Sequence, residues 1–570
     1  MKRKKILLLA SAFNGFTQKA YTSLAPDHDT YVDLSLSEEY MREQIGKIQP
    51  DLIICPFLKD RIPEDIWRKY LCIIIHPGII GDRGPSSLDW AISQNLSKWG
   101  VTALEASEDM DAGDIWATRE FDLPERRKSF VYNKLVAVHG LSVIDEVVEK
   151  FCQGQFKPTP LSSLQGQCLG ELRPLMKQSD RKINWSTDSS KDIVRKINAA
   201  DGFPGVLDSL FEQEVFLFGA SCLDEAFHQV CQGFRPGTVV AKHHESVCLA
   251  SIDGGVWVSH LKKKKQGAES HFKQPASLLL KDQLMNVPDI FDLATYPQPV
   301  PTGADDTFYE EANQIGYLRF DFYNGAMSTS QCHRLAEQLE LALNADTKAL
   351  VLRGGEVFWS NGINLNTIEA AEHPASEAWD NINAMDDVIE LILRATHKPV
   401  LAFVDGNAGA GGVFLAMACD RVYLKDTVIL NPHYKTMGLF GSEFWTLTLQ
   451  ERLGNAEEAK TLVEKCLPMN AQESLRRNLV DGVFDDFDAF NAQIKQVMLD
   501  GESIKQSKKL RLEAVDLDRI RSAELAQMRE NFFEDSLGFT KKRHNFVYKR
   551  KPKSFCLGEK IVKQCRSVSR

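Results

Sequence analysis

Cysteine is scarce in this chain, at 12 of 570 residues. No two cysteines form a C-x-x-C pair and none lies near histidine at zinc-finger spacing, so neither a disulfide framework nor a zinc finger of that kind is expected. Nowhere do the roughly 20 consecutive apolar residues of a bilayer-spanning helix occur. The start, MKRKKILLLASAFNG, sets basic residues ahead of an apolar run as a signal peptide does. That run ends at Ala10 and no small-residue cleavage site follows, so Ile6 to Ala10 read as a buried first strand. Reduced thiols in an enzyme-like composition, with no leader and no span, predict a cytoplasmic protein with no membrane partner. No G-x-G-x-x-G follows the first strand, which leaves a dinucleotide site without support. Positive charge is also short: 68 Lys+Arg against 78 Asp+Glu give a net charge of −10, which argues against a protein that coats nucleic-acid phosphates. The deficit is uneven. Residues 541 to 570 hold eleven Lys/Arg and one acid (Glu559), a local +10 that leaves −20 for residues 1 to 540.

Apolar material is plentiful, at 43% of the chain, enough for several cores. In the first 150 residues the runs KKILLLA, PDLIICPF, LCIIIHPG, GVTALEAS and GDIWATREF alternate with polar helical or loop segments. This is the texture of a parallel α/β sheet buried on both faces. From about 180 to 265 short alternating segments (EVFLFGA, GTVVAK, VCLASI, VWVSHL) predict a small β-rich domain, with LKKKK close to its end. The closely spaced prolines of YPQPVPTGADD (Tyr296 to Asp306) mark a stiff linker. Beyond it, strands (GYLRFDF, KALVLRGG), the amphipathic helix CHRLAEQLELALNA and glycine-rich loops alternate to about 485. Helical segments follow to about 535. The expected organisation is therefore residues 1–175, 176–275, a linker over 276–311, 312–545, and a basic tail over 546–570.

Two constellations carry chemistry. The first is CIIIHPGIIGDRGPSSLDWAI with WGVTALEASEDMDAGDIWATR. It places His76 at the carboxyl end of a buried strand, where α/β folds present ligand-binding groups. Gly78, Gly81 and Gly84 would let backbone approach a ligand, and Asp111 begins the turn D-A-G-D. His76 and Asp111 are an acid/base pair if they converge, the carboxylate orienting the ring and raising its basicity. A histidine before Pro-Gly also serves simply as a turn residue.

The pattern H-P-G-x-x-G-D-R-G-P-S-S followed by D-x-G-D resembles the folate-dependent formyltransferases, including the methionyl-tRNA and glycinamide ribonucleotide enzymes. INWSTDSSKDIVRKINAADGFPG (183 to 205) resembles the start of the C-terminal domain of the tRNA enzymes. The resemblance implies 10-formyltetrahydrofolate as formyl donor, bound near Arg83, Gly84 and the Ser107 to Asp111 turn, with His76 and Asp111 catalytic. The family's Asn two residues before the histidine is Ile74 here, a hydrocarbon that cannot stabilise an oxyanion.

The second constellation is VFWSNGINL (357 to 365) with VDGNAGAGGVFLAMACD (404 to 420). Each leaves a strand and opens toward a helix, so unpaired N–H groups would face one point with a helix dipole behind them. Glycine pairs also serve tight packing alone. Together these elements resemble the crotonase, or enoyl-CoA hydratase/isomerase, superfamily over about residues 310 to 490. The resemblance implies a thioester oxyanion hole at the N–H groups of Ile363 and Gly411, and coenzyme A as second ligand. The family's two hydratase glutamates fall on Phe414 and His433, so hydration is not expected. His433, Tyr434 and Glu443 are the polar groups left for proton transfer.

A formyl donor site and a thioester site together imply formyl-CoA, which has no α-carbon for hydratase carboxylates to act on. The fused order, with N-P-H-Y-K-x-M-G-L in the second half, resembles a family of nickel-iron hydrogenase maturation factors. That resemblance implies release of carbon monoxide from formyl-CoA as the ligand of the hydrogenase iron, with other maturation proteins as possible partners and no resident metal. Hydrolysis of formyl-CoA to formate, and a non-catalytic folate- and CoA-binding assembly scaffold, are the alternative readings. A tRNA formyltransferase would want an extended basic surface, which residues 1 to 540 do not offer. Lys541, Lys542 and Arg543 are candidate contacts for the CoA phosphates, and the last twenty residues read as a solvated tail.

Overall fold

A computed structural model of the chain describes residues 2–164, 169–267, 269–293, 301–499 and 501–557. It divides into two compact units, one of residues up to 304 together with those from 551 onward, the other of residues 305–550. Among the described residues no helix is long and apolar enough to cross a membrane. Residues 296–300 of the proline-rich stretch and 558–570 of the basic end lie outside the described residues.

The first unit opens with six strands: β1 (Lys5–Ala10), β2 (Asp29–Leu34), β3 (Leu52–Cys55), β4 (Cys72–His76), β5 (Lys98–Glu105) and β6 (Ile115–Asp122). Their order in the sheet is β2-β1-β3-β4-β5-β6. Because side chains alternate along a strand, Ile6 and Leu8 enter one core while Leu7 and Leu9 enter another on the opposite face. That double burial is why these runs are apolar throughout. The four strands β2-β1-β3-β4 are parallel. The runs GVTALEAS and GDIWATREF, expected to continue that pattern, are antiparallel to their neighbours. Only residues 106–114 join β5 to β6, too few for the crossover of a dozen or more residues that a parallel pair requires.

After it comes a mostly antiparallel sheet with strands β7 (Val206–Leu210), β8 (Gln213–Cys222), β9 (Val239–His243), β10 (Ser246–Ala250), β11 (Gly255–Lys263) and the short β12 (Gln274–Pro275), in the order β7-β8-β11-β10-β9. The helix Ser190–Ala199, started by a capping box between Ser189 and Asp192, buries Ile193 and Ile197 in its core.

In the second unit the chain steps repeatedly from a large sheet to a small one. The large sheet is β13 (Thr307–Ala312), β14 (Ile315–Phe320), β15 (Ala349–Arg353), β17 (Val400–Val404), β19 (Arg421–Lys425) and β22 (Gly482–Phe484). The small sheet is β16 (Phe358–Ser360), β18 (Asn407–Gly409), β20 (Ile429–Asn431) and β21 (Met469–Asn470). Each step, such as Asp405–Gly406 between β17 and β18, delivers the next segment to the small sheet. The expected linker is structured at both ends. Ala276 and Leu280 are fully buried, and Thr307–Ala312 pairs along β14.

The expected tail also departs from a solvated form where it is described. Its first two residues, 546 and 547, end the helix Phe539–Val547. Lys551 Nζ donates to Ser35 O at 2.9 Å and reaches Asp60 at 3.3 Å. The Tyr40 hydroxyl donates to Phe555 O at 2.7 Å, and Cys556–Leu557 (β23) adds an antiparallel strand to the exposed edge of β2. A sheet edge with unpaired N–H and C=O groups accepts such a strand whatever its charge.

Candidate functional sites

Strand β4 ends at His76, which is buried. Ile74, two residues earlier, shares its face of the strand, so a hydrocarbon stands where the formyltransferase pattern puts an amide. His76 Nε2 lies 2.8 Å from Asp82 Oδ2, and Nδ1 lies 3.5 Å from Asp111 Oδ2. Asp82 is fully buried and also accepts from Arg173 Nη1 at 3.0 Å. Asp111 adopts a left-handed backbone (φ 54°) and accepts from the Gly84 N–H at 3.3 Å. Burial opposes charge on the ring, but the Asp82 hydrogen bond and the charges of Asp111 and Asp82 outweigh it, and the imidazole is held above its ordinary range.

Asp82 was not among the expected site residues, although it stands in the quoted motif six residues after His76. It is the nearer carboxylate, with Asp111 at the looser edge. Gly78 and Gly84 also serve the packing of the site itself. A Cβ on Gly78 would lie 2.3 Å from His76 Nε2, and one on Gly84 would lie 2.2 Å from Arg173 O, so their missing side chains make room for the site's own groups. Arg83 pairs its backbone with the segment at residues 171–173, its N–H donating to Glu171 O and its C=O accepting from Arg173 N. Ser107 Oγ donates to Asp109 O at 2.9 Å and closes the turn before Asp111.

One prediction concerns pH. A histidine raised by its partners adds stability below the unfolded imidazole value, and that contribution fades as pH rises through the higher folded value. In melting experiments Asp82→Asn should therefore lose more against the parent at pH 6 than at pH 9. An equal deficit at both would show that the ring carries no extra proton.

The second site lies in the second unit, where the two glycine-rich segments meet. Met327 bridges Ile363 by donating to Gly362 O (2.9 Å) and accepting from Asn364 N (3.0 Å). The flanking residues make both bonds, so the Ile363 N–H faces the opposite side. Gly411 begins the helix Gly411–Met417, where first-turn N–H groups have no partner inside the helix. A Cβ on Gly362 would come within 3.2 Å of Gly411 N, so the two glycine-rich segments converge.

Against Gly411 lies the carboxyl of Glu443: a Cβ there would meet Oε1 at 1.9 Å. Glu443 Oε2 accepts from Tyr434 Oη at 2.5 Å and from Ser442 N at 2.9 Å. Burial first, then the charge of Asp386, pushes the Glu443 carboxyl up to about 8. Burial and the same carboxylates push the Tyr434 hydroxyl upward too. Phe414, where a hydratase glutamate would fall, is fully buried and stacks on Tyr434 at 5.5 Å and 14°. Its hydrocarbon thus braces the tyrosine. His433 Nδ1 contacts Thr436 Oγ1 at 3.2 Å and Nε2 turns toward Gly409; desolvation pulls it below the ordinary imidazole range, which favours the neutral ring.

Lys541 is exposed, and Lys542 lies along the Tyr434–Met437 turn with Nζ 3.5 Å from Lys435 O. Arg543 does not fit the expected phosphate contact. It is buried and bonded to Glu369 Oε2 at 2.7 Å, because its helix turns that side chain onto the unit's core. Arg543→Ala should lower the stability of this unit by about 3 kcal/mol, seen as an earlier urea midpoint. An unchanged midpoint would return Arg543 to the pool of free cations.

Comparison with known proteins places these sites in context. Residues 310–554 match the family model "Enoyl-CoA hydratase/isomerase", and residues 175–275 match "Formyl transferase, C-terminal domain". The chain is similar to the hydrogenase maturation factor HoxX of Bradyrhizobium diazoefficiens, with 39% identity over 96% of this chain and 95% of that one. Its structure is similar to HypX from Aquifex aeolicus in complex with tetrahydrofolic acid, with a TM-score of 0.89 and 39% identity over 97% of this chain and 98% of that one. Over 43% of its length it is 24% identical to a methionyl-tRNA formyltransferase of Bacillus cytotoxicus, covering 77% of that enzyme.

Proposed function

Since the chain belongs to the HypX/HoxX family of hydrogenase maturation factors, with formyltransferase and crotonase-like domains, we propose that it makes carbon monoxide in two steps. The first moves formyl from 10-formyltetrahydrofolate to the thiol of CoA. The second splits formyl-CoA into carbon monoxide and CoA, and the gas becomes the ligand of the hydrogenase iron. The relative from Aquifex aeolicus was solved with tetrahydrofolic acid, which supports a folate at the His76 site.

In the first step the sulfur attacks the formyl carbon, the carbon–nitrogen bond breaks, and the thiol proton passes by way of His76 to the departing folate nitrogen. Asp82 fixes the ring through Nε2, leaving the Nδ1 edge, with Asp111, toward the substrates. In the second step the N–H groups of Ile363 and Gly411 polarise the thioester oxygen. Glu443, hydrogen-bonded to Tyr434, takes the formyl proton. The carbon–sulfur pair stays on sulfur, and Glu443 returns the proton to the thiolate. Lys541 and Lys542 remain the candidate contacts for the CoA phosphates.

The observation that carries this reading is the Glu443 carboxyl set directly against Gly411 in a site without the usual carboxylate pair. One acid/base group beside a thioester grip suits removal of a single proton from a substrate with no α-carbon. Purified protein given 10-formyltetrahydrofolate labelled in the formyl carbon, with CoA, should release the label as gas bound by a carbon monoxide trap. Label recovered as formate would establish the hydrolytic alternative, and no turnover at all the scaffold.

A further inference from the structure

Glu443 and Phe444 are consecutive non-glycine residues with left-handed backbone, φ 62° and 55°. Such a pair persists only where its surroundings over-determine it. Two buried carboxylates do so. Asp386, on the helix Pro374–Arg394, accepts from Glu443 N at 2.9 Å and from Ser442 Oγ at 2.7 Å. Glu524, on the helix Leu517–Phe533, accepts from Phe444 N and Thr446 N at 2.8 Å each and from Thr446 Oγ1 at 2.5 Å. Asp386 is 0% and Glu524 1% exposed, and among the described residues neither forms an ion pair with a cation. Arg521, the cation nearest in sequence to Glu524, is bonded to Asp387 and Glu390 instead. Buried carboxylates without a cation are costly, so a purely structural clamp would be better built from amides.

We propose that Asp386 and Glu524 are positioning residues which clamp the Glu443–Phe444 turn, so that the Glu443 carboxyl points between Tyr434 and Gly411, and whose charge governs the proton that carboxyl exchanges. This inference rests on Glu443 being the proton acceptor of the gas-releasing step. The groups that face Glu443 are Tyr434 from its own loop, Asp386 and Glu524 from the two helices, and the Cys332 thiol from the helix Thr329–Asn344, which senses the Glu443 charge. Arg521 acts on Asp386 from the far side. Burial first, with a neighbouring carboxylate adding to it (Asp387 beside Asp386, Asp386 beside Glu524), pushes Asp386 up to about 7 and Glu524 up to about 8 against the hydrogen bonds they accept.

Removing the like charge at 386 should lower the pH at which Glu443 becomes a base. The test uses the full chain with formyl-CoA supplied, following carbon monoxide release between pH 5 and 9 for the parent, Asp386→Asn and Glu524→Gln. For Asp386→Asn the rising limb should move down by about one pH unit, kcat on the plateau should fall up to about 10²-fold through misplacement of Glu443, and KM should change little. Folate-dependent formyl transfer to CoA, assigned to the other unit, should match the parent, and far-ultraviolet circular dichroism of the variant serves as the control for folding. An Asp386→Asn protein with normal formyl transfer and an unmoved limb would overturn the assignment, whatever its melting temperature. Should Asp386→Asn not fold, Glu524→Gln carries the same reading: a moved limb supports the clamp and an unmoved one overturns it. If the parent itself releases no gas from formyl-CoA, it is the role of Glu443 that fails, and the clamp falls with it.

Discussion

His76→Ala should cut formyl transfer from 10-formyltetrahydrofolate to CoA by about 10²–10⁴-fold, the range of general acid–base catalysis, while carbon monoxide release from supplied formyl-CoA continues. The prediction follows from how closely the ring is held. Both its nitrogens face carboxylates, Asp82 at 2.8 Å and Asp111 at 3.5 Å, and among the described residues no other imidazole is bonded to either carboxylate. Asp82 in turn is held by Arg173, which balances one of the two negative charges. Alanine would leave two carboxylates facing one guanidinium and an empty space where the ring stood. The formyl-CoA assay shows that the second unit, which has its own core, is untouched, and the melting transition of the variant shows whether the first unit is still folded. Transfer at the parental rate by a folded His76→Ala protein would remove His76 from the reaction and leave the His76–Asp82 pair as a structural ion pair only.

The distinction between what could and could not be read from the residues is physical. Strands β1, β3 and β4 are visible because each is apolar on both faces, and the fused formyltransferase and crotonase patterns are visible because glycine spacing and a histidine at a strand end are local. The direction of β5 and β6 is not visible: a hydrophobic run has no polarity, and only the length of the link at 106–114 bears on it. Strand β2, DTYVDL, escapes notice because Asp29 and Asp33 interrupt its apolar character. Asp82 was legible in principle, standing between the glycines of the motif. Asp386 and Glu524 left a subtler trace. Each sits on the apolar stripe of its helix, Asp386 among Ile382, Met385 and Ile389, and Glu524 among Leu517, Leu525 and Met528. An acid on a helical stripe facing a core signals a buried function. What it binds, here the backbone of a turn some 60 to 80 residues away in sequence, is set by tertiary folding alone. Arg543 fails for the opposite reason. Its neighbours Lys541 and Lys542 made it look like part of a basic patch, whereas the helix rotates it inward to Glu369.

Replacing Gly411 is expected to separate the two half-reactions most cleanly. Gly411→Val should leave folate-dependent formyl-CoA formation unchanged and lower carbon monoxide release by at least about 10²–10³-fold, the effect of losing one oxyanion donor. The backbone at Gly411 is helical, so the substitution imposes no dihedral strain. Its effect is entirely spatial. A Cβ at this position lies 1.9 Å from Glu443 Oε1 and 2.6 Å from its carboxyl carbon, which no side-chain atom tolerates. Glu443 must therefore swing away, yet Oε2 is held by Tyr434 and Ser442 and its backbone by Asp386. Either the carboxyl leaves its place against Gly411 or the helix start retreats from Ile363. Both movements separate the base from the thioester grip. Gly411→Ala already carries the offending carbon and should lose most of the activity, with valine adding bulk where the thioester would lie. Formyl-CoA should then accumulate when folate and CoA are both supplied, which is a positive signal rather than a mere loss. A folded Gly411→Val protein that releases gas at the parental rate would place the carbon–sulfur cleavage somewhere other than between Ile363, Gly411 and Glu443.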